Sequence, residues 1–456
     1  MLSAVVAVGL RAFVLWDDAF APGYDGYYYV LQVQSGLAGD ALFADRSTVY
    51  AVLQGLTLLI GDVVTANKVA SCLFGALTTV GGGLVVLRWM QSPRAMVAVA
   101  WLWAVSPLHL AISSEYLKNA AGLAVLSGVL ALLPRVERSR WQLVGLTLFV
   151  VLGLATHKLT GVFGVIACLA YAAMRVLQTR RVSARWIVAG GLVLGLAASV
   201  GVFRVVDVDR FMAGLGRTGA RWAPFVDGQL GWGERAELAL VYLAPLLLGV
   251  AWIRTRDADK RAMAGALVVV AVACTAPLLP VAYDLTAWRL MLMGFVPVAL
   301  AVVVVAERSR VALVGFAVMM GLLALPAANQ RREREPDYAS FVDAVSLIQD
   351  VVPAGGRLVA HRGLCGFLWV HTERVCENFQ PQGDLTQWWR VVYGFGPVHL
   401  APYGTATALR PAYTLMREDD YQRFREAHKE RYHLLSDASN PFEVRPGFVY
   451  GPSEEP

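Results

Sequence analysis

The residues best placed to do chemistry come early, in the stretch WDDAFAPGYDGYYYVLQ running from Trp16 to Gln32. Asp17, Asp18 and Asp25 stand beside Tyr24, Tyr27, Tyr28 and Tyr29, directly after an apolar N-terminal run. A carboxylate at such a place can take a proton from an attacking hydroxyl or amine. Two or three together can hold a divalent cation, magnesium or manganese. Cations recur further on. SSEYLKNAAG carries Glu115 and Lys118, LATHKLTGVFG carries His157 and Lys158, and AYDLTAWRLMLMGF carries Asp284 and Arg289. All of these sit where an apolar run ends or begins, and charges at such positions usually face a bundle interior or a watery cavity. Lys118, Lys158, Arg289 and His157 together have the chemistry of a site for an anionic head group.

Each residue also has a plainer reading. A lysine or arginine at a span end snorkels to the head groups, Asp17 and Asp18 can mark the end of the first helix, and the tyrosines can form an aromatic belt. HisLys at 157–158 can be a solvated turn. Asp207 and Asp209 in VVDVDRF have the spacing of a metal-binding DxD pair, but a solvated loop accounts for them better. Gly81 to Gly83 fall inside an apolar run, where glycine permits close helix packing.

The elements that must position these residues follow from composition. Of 456 residues, 57% are hydrophobic and 16% are charged, against about a quarter charged in a soluble domain. Apolar runs long enough to cross about 30 Å of hydrocarbon recur through the first three quarters. The pattern predicts a polytopic α-helical membrane protein with about eleven spans, near 1–16, 66–88, 95–112, 119–134, 141–157, 160–177, 186–205, 236–253, 262–281, 288–306 and 311–328. The first run lacks a basic leader and a small-x-small site, so it reads as a retained span. The run 48–60 is short for a span and reads as an interfacial or partial helix.

Fifteen basic residues, from Arg88 to Arg310, fall in alternate short loops with only Glu137, Asp257, Asp259 and Glu307 among them. By the positive-inside rule that face is cytoplasmic, and the N-terminus with it. The net charge of +6 thus belongs to orientation, and no nucleic-acid partner is implied. The division expected is a membrane domain over 1–330, with a first outer loop at about 17–65, and a small extracytoplasmic α/β domain over 336–456. In that tail a helix ending at Pro353 precedes short strands at RLVAH, GFLWV and VCENF. Cys365 and Cys376 would fall out of register across the HTER turn, which argues against pairing them.

This layout resembles the GT-C superfamily of integral membrane glycosyltransferases, which takes in protein O-mannosyltransferases, the aminoarabinose transferases of lipid A and the catalytic subunits of oligosaccharyltransferase. GYDGYYYVLQ is similar to their acidic-aromatic loop motif, with Asp25 at the matching position. GLATHKLTGVFGV and AWRLMLMGFVPVALAV are similar to stretches that carry phosphate-holding cations, here Lys158 and Arg289. The resemblance implies a sugar transferred from a polyprenyl-phosphate donor in the membrane to a protein, lipid or glycan acceptor on the extracytoplasmic face. Asp25 would be the base, with Asp18 and Asp17 as alternatives, since the paired acids stand seven residues ahead of Asp25. Lys158, Arg289, Lys118 and His157 would hold the donor phosphate, and Tyr27, Tyr28, Glu115 and Asp284 would line the acceptor or sugar. A divalent cation, if used, would sit on Asp17, Asp18 and Asp25. The alternative is a transporter or flippase for lipid-linked sugars or other anions, which would need ionisable groups buried mid-span.

Overall fold

The structure, a computed structural model, describes residues 1–16, 19–23, 25–39, 45–179, 231–275, 289–307, 309–334, 341–360, 362–377, 384–393, 395–410 and 413–428. It divides into two units, Met1–Ala19 with Phe43–Glu333, and Phe20–Leu42 with Arg334–Pro456.

The first unit is helical. Helix α1 (Leu2–Leu15) opens it, while α2 (Gly26–Leu37) belongs to the second unit. Then come α3 (Thr48–Ile60), α4 (Val63–Met90), α5 (Pro93–Ala104), α6 (Pro107–Glu115), α7 (Leu117–Leu132), α8 (Arg140–Thr156) and α9 (Lys158–Thr179). After residues outside the description follow α10 (Trp232–Arg254), α11 (Ala258–Cys274), α12 (Phe295–Ala306) and α13 (Arg310–Arg334). Among the described residues five helices are long and apolar enough to cross a membrane: Val63–Met90, Lys158–Gln178, Trp232–Arg254, Arg289–Ala306 and Arg310–Glu333. The expected run 186–205 and the pair Asp207 and Asp209 lie outside the described residues.

The expected span 95–112 is broken. Helices α5 and α6 meet at a 52° bend, and the sequence explains it. Ser106 caps α6, its Oγ accepting from the His109 N–H, and Pro107 takes the first helical position, where its missing N–H costs nothing. The break is supported from outside by Glu237 of α10. Its Oε1 and Oε2 accept from Ser106 Oγ at 2.8 and 2.9 Å, and Oε2 also accepts from the Leu108 N–H at 2.9 Å. Close packing of α4 on α5 depends on Gly82, because a Cβ there would overlap the Trp103 ring. That is the packing role expected of the glycine run.

The second unit holds a five-stranded sheet in the order β2-β1-β3-β5-β4, built from β1 (Arg357–Val359), β2 (Cys376–Glu377), β3 (Trp388–Tyr393), β4 (Ala406–Arg410) and β5 (Tyr413–Arg417). Strand β1 runs parallel to β2 and β3, while β3–β5 and β5–β4 are antiparallel. Around the sheet stand α14 (Val342–Val351), α15 (Arg362–Thr372), α16 (Pro397–Leu400) and α17 (Glu418–His428). An ion pair with little exposure ties β3 to α17: Arg390 Nε and Nη2 reach Glu418 Oε2 and Oε1 at 2.5 and 2.8 Å.

Two expectations for this unit are corrected. GFLWV lies within α15, not in a strand, because Leu364, Cys365, Phe367 and Leu368 follow the helical period and are all buried. The segment between β1 and β2 is therefore a helical crossover between parallel strands, not a hairpin. With no hairpin register to obey, Cys365 and Cys376 form a disulfide, with Cα atoms 5.4 Å apart.

Candidate anion site and the acidic-aromatic motif

Three of the four expected phosphate-holding residues share one region of the helical unit. Helix α6 ends at Glu115 and α7 starts at Leu117, with Tyr116 between them in a non-helical conformation. That joint sets Tyr116 and Lys118 at the start of α7. Arg289, at the start of the apolar stretch that becomes α12, stacks its guanidinium over the Tyr116 ring, 4.9 Å from the centroid. Lys118 forms an ion pair with Asp45 and lies 4.8 Å from the Tyr50 ring centroid. Tyr50 also donates to Asp45 Oδ2 at 2.9 Å. His157 caps α8 and feels the charges of Arg289, Lys118 and Asp45.

The segment carrying Asp45 is fastened there by α3. Ser47 caps that helix and donates to the Thr156 carbonyl at 2.6 Å, and Thr48 Oγ1 lies 2.8 Å from Thr156 Oγ1. Arg289 Nε is buried and has no hydrogen-bond acceptor among the described residues. A buried guanidinium N–H without an acceptor is costly, and an anionic oxygen is the group that suits it best. Lys158, the first residue of α9, is exposed.

Glu115 turns elsewhere. It pairs with Arg331 of α13, whose Nε also donates to Glu234 Oε1 at 2.6 Å. This triad, in which Arg331 and Glu234 are buried and Glu115 is partly exposed, anchors the joint from which Tyr116 and Lys118 project.

Asp25, Tyr27 and Tyr28 belong to the second unit. Asp25 is the N-cap residue of α2, 6% exposed, so it does open a helix as the motif implies. Tyr27, 2% exposed, packs edge-on to Phe367 of α15 with ring centroids 5.3 Å apart, and its hydroxyl lies 3.1 Å from His371 Nε2. Tyr28 is half-buried beside Tyr29. Asp17, Asp18 and Asp284 lie outside the described residues.

No protein-family model matches the sequence, and no curated protein does. Among solved structures the chain is similar to the oligosaccharyltransferase AglB of Archaeoglobus fulgidus, in complex with an inhibitory peptide and a dolichol-phosphate. The TM-score is 0.54 at 14% identity, over 82% of this chain and 63% of that one. It is also similar to ArnT of Cupriavidus metallidurans bound to undecaprenyl phosphate, with TM-score 0.53 at 16% identity, over 91% of this chain and 97% of that one. The likeness shows that this chain shares its fold with these two membrane proteins. The chain spans a little over three fifths of the oligosaccharyltransferase, against nearly all of ArnT.

On this fold the described residues contain no group of three His, Cys, Asp or Glu side chains fit for a metal ion. Asp25 is the one carboxylate of the expected metal set within the description, so no step is derived through a metal. Sequence reasoning missed Asp45, Tyr50 and Tyr116. It also missed ionisable groups buried within helices. Arg11 of α1 is fully buried and donates to the Ala7 and His109 carbonyls at 2.9 and 3.4 Å. His109 stacks on Phe295, 4.5 Å between centroids, and donates from Nδ1 to the Trp103 carbonyl at 2.7 Å. With Glu237 capping α6, these groups serve the backbone around the α5–α6 break.

Proposed function

We propose that the protein is a membrane glycosyltransferase that moves a sugar from a polyprenyl-phosphate donor to an acceptor on the extracytoplasmic face. The observation that carries this reading is the pair of cations on a GT-C-like fold: Arg289, its buried Nε without an acceptor among the described residues, and Lys118, both close enough for their charge to act on His157. Negative charge grows on the lipid phosphate as the sugar leaves, and fixed cations stabilise that charge more than the ground state. Asp45 orients Lys118 and offsets part of its charge. Lys158, exposed at the same turn as His157, adds to the attraction for the incoming phosphate.

In the reaction the acceptor oxygen or nitrogen attacks the anomeric carbon as the bond from that carbon to the phosphate oxygen breaks. The bonding pair leaves with the phosphate, the acceptor proton passes to a carboxylate, and the anomeric carbon is inverted. Asp25 is that carboxylate by its motif, ahead of Asp18 and Asp17. The Cys365–Cys376 disulfide supports an extracytoplasmic second unit, because disulfides persist in oxidising compartments. Arg11, His109 and Glu237 are the mid-span ionisable groups that a transporter would need, but their hydrogen bonds to backbone argue for a structural task.

The test is transfer by purified protein from a panel of polyprenyl-phosphate sugars, comparing wild type with Asp25→Asn and Arg289→Gln. Turnover in wild type, its loss with donor binding kept in Asp25→Asn, and weakened donor binding in Arg289→Gln are expected. Donor binding without turnover across a broad acceptor panel, unchanged by either substitution, would overturn the transferase reading.

A further inference from the structure

Helices α5 and α13 run in step. The Trp101 indole N–H donates to the Ala317 carbonyl at 3.1 Å, and Arg94 and Arg310 each stand seven residues earlier on their helices (101 − 94 and 317 − 310). Between the helices lies a groove of about 970 Å³, lined by apolar side chains such as Val97, Trp101, Leu313, Val318 and Leu322, with Arg94 and Arg310 at its mouth and no carboxylate. Such a volume is at the upper end of small-molecule sites, roughly 300–1,000 Å³. From Arg310 to Leu322 the groove follows twelve residues, about 18 Å of helix.

The mouth is cationic twice over. Both arginines are exposed and neither has an ion pair among the described residues. Both helices also begin there, α5 capped by Ser92 Oγ on the Ala95 N–H and α13 by Ser309 Oγ on the Ala312 N–H. Two helix N-termini add partial positive charge to two guanidiniums. The mouth is far from the anion site. The stretch Arg289–Ala306 has 18 residues, about 27 Å of helix, and separates Arg289 from the turn that leads into Arg310.

We infer that this groove is a binding site for an anionic two-chain phospholipid, its phosphate between Arg94 and Arg310 and an acyl chain laid against Trp101. Uncharged surroundings alone would hold any lipid loosely. Paired cations at one end of an open apolar groove select for an anionic head group and fix its depth. The polarity fits the basic loops, which put this mouth on the face read as cytoplasmic, where anionic lipids draw basic residues.

The test uses the full-length protein in detergent, titrated with phosphatidylglycerol, with phosphatidylcholine of the same chains, and with undecaprenyl phosphate. Bound lipid is counted by native mass spectrometry. Position is read from quenching by brominated chains, compared between wild type and Trp101→Phe. Phosphatidylglycerol is expected to bind about tenfold tighter than phosphatidylcholine, to quench in a Trp101-dependent way, and to lose its preference to within about twofold in Arg94→Gln/Arg310→Gln. Gly321→Leu, whose new side chain would meet little but the Trp101 edge, is expected to weaken both phospholipids. Equal affinity for the two, a preference that survives the arginine substitutions, or Trp101-dependent quenching stronger with undecaprenyl phosphate would each overturn the inference. Because the readout is lipid binding, it stands or falls apart from sugar transfer.

Discussion

Arg289 is the side chain whose surroundings ask most plainly for an anion, and its shape matters as well as its charge. Its planar guanidinium stacks on Tyr116, a geometry that an ammonium cannot copy. Arg289→Gln is expected to weaken donor binding by roughly tenfold to a hundredfold, and Arg289→Lys to recover only part of that, as read by titration with a polyprenyl-phosphate sugar. Equal binding by the lysine variant would show that charge alone suffices. The sequence displayed Arg289, Lys118 and His157 as candidates because charged residues flanking apolar runs stand out. It could not display Asp45, which meets Lys118 across 73 positions, because nothing local marks a carboxylate as someone's partner. In the second unit, burial pushes the Tyr421 hydroxyl above its usual pKa, with Arg390 pulling the other way. Above about pH 10 the unfolded tyrosine has lost its proton while the folded one keeps it, so the unfolded state binds fewer protons and stability falls as pH rises. Thermal scans between pH 9 and pH 11 (roughly bracketing that value) should show a steeper loss in wild type than in Tyr421→Phe. Parallel profiles would mean that Tyr421 ionises without regard to folding.

At the scale of elements, the joint between α6 and α7 depends on Arg331, which neutralises Glu115 and Glu234 together. Arg331→Met would leave the buried Glu234 and the partly exposed Glu115 without their cation, at an expected cost of about 3–5 kcal/mol carried mainly by Glu234. Adding Glu234→Leu and Glu115→Gln should restore much of the loss, measured as the midpoint of thermal unfolding in detergent. No recovery would mean that the arginine acts by packing alone. In the second unit the disulfide clips α15 to β2, and Cys365→Ser with Cys376→Ser is expected to cost about 2–4 kcal/mol, seen as faster proteolysis of that unit. The helices of the first unit were legible because runs of apolar residues of spanning length have few other solutions in a membrane. The α5–α6 break was written in Ser106 and Pro107, a helix-start signal hidden inside an otherwise continuous apolar run. GFLWV shows the opposite case. Five apolar residues suit a buried strand as well as a helix, and only packing partners such as Phe341 and Tyr27 on Phe367 decide it.

For the molecule as a whole, the two units differ in what they require of their surroundings. One exposes Leu58, Leu77, Val314 and Leu322 along its helices, surfaces suited to hydrocarbon. The other closes its own small core around Leu400, Met416 and Phe424 and carries a disulfide elsewhere, between α15 and β2. A chain built this way works as proposed only if the second unit lies outside while the basic turns lie inside. That arrangement can be tested without removing any native cysteine. Cys72, Cys168 and Cys274 are buried and the other two are bonded to each other, so a membrane-impermeant maleimide should find little to react with in the native chain. Ala427→Cys, on the exposed side of α17, is expected to label in intact cells. Arg256→Cys, in the turn between α10 and α11, is expected to label only after the membrane is opened. The reverse pattern would put Lys118, Arg289 and the second unit on the cytoplasmic side. A lipid-linked sugar presented outside could not then be the donor, and the transferase proposal would fail together with the orientation.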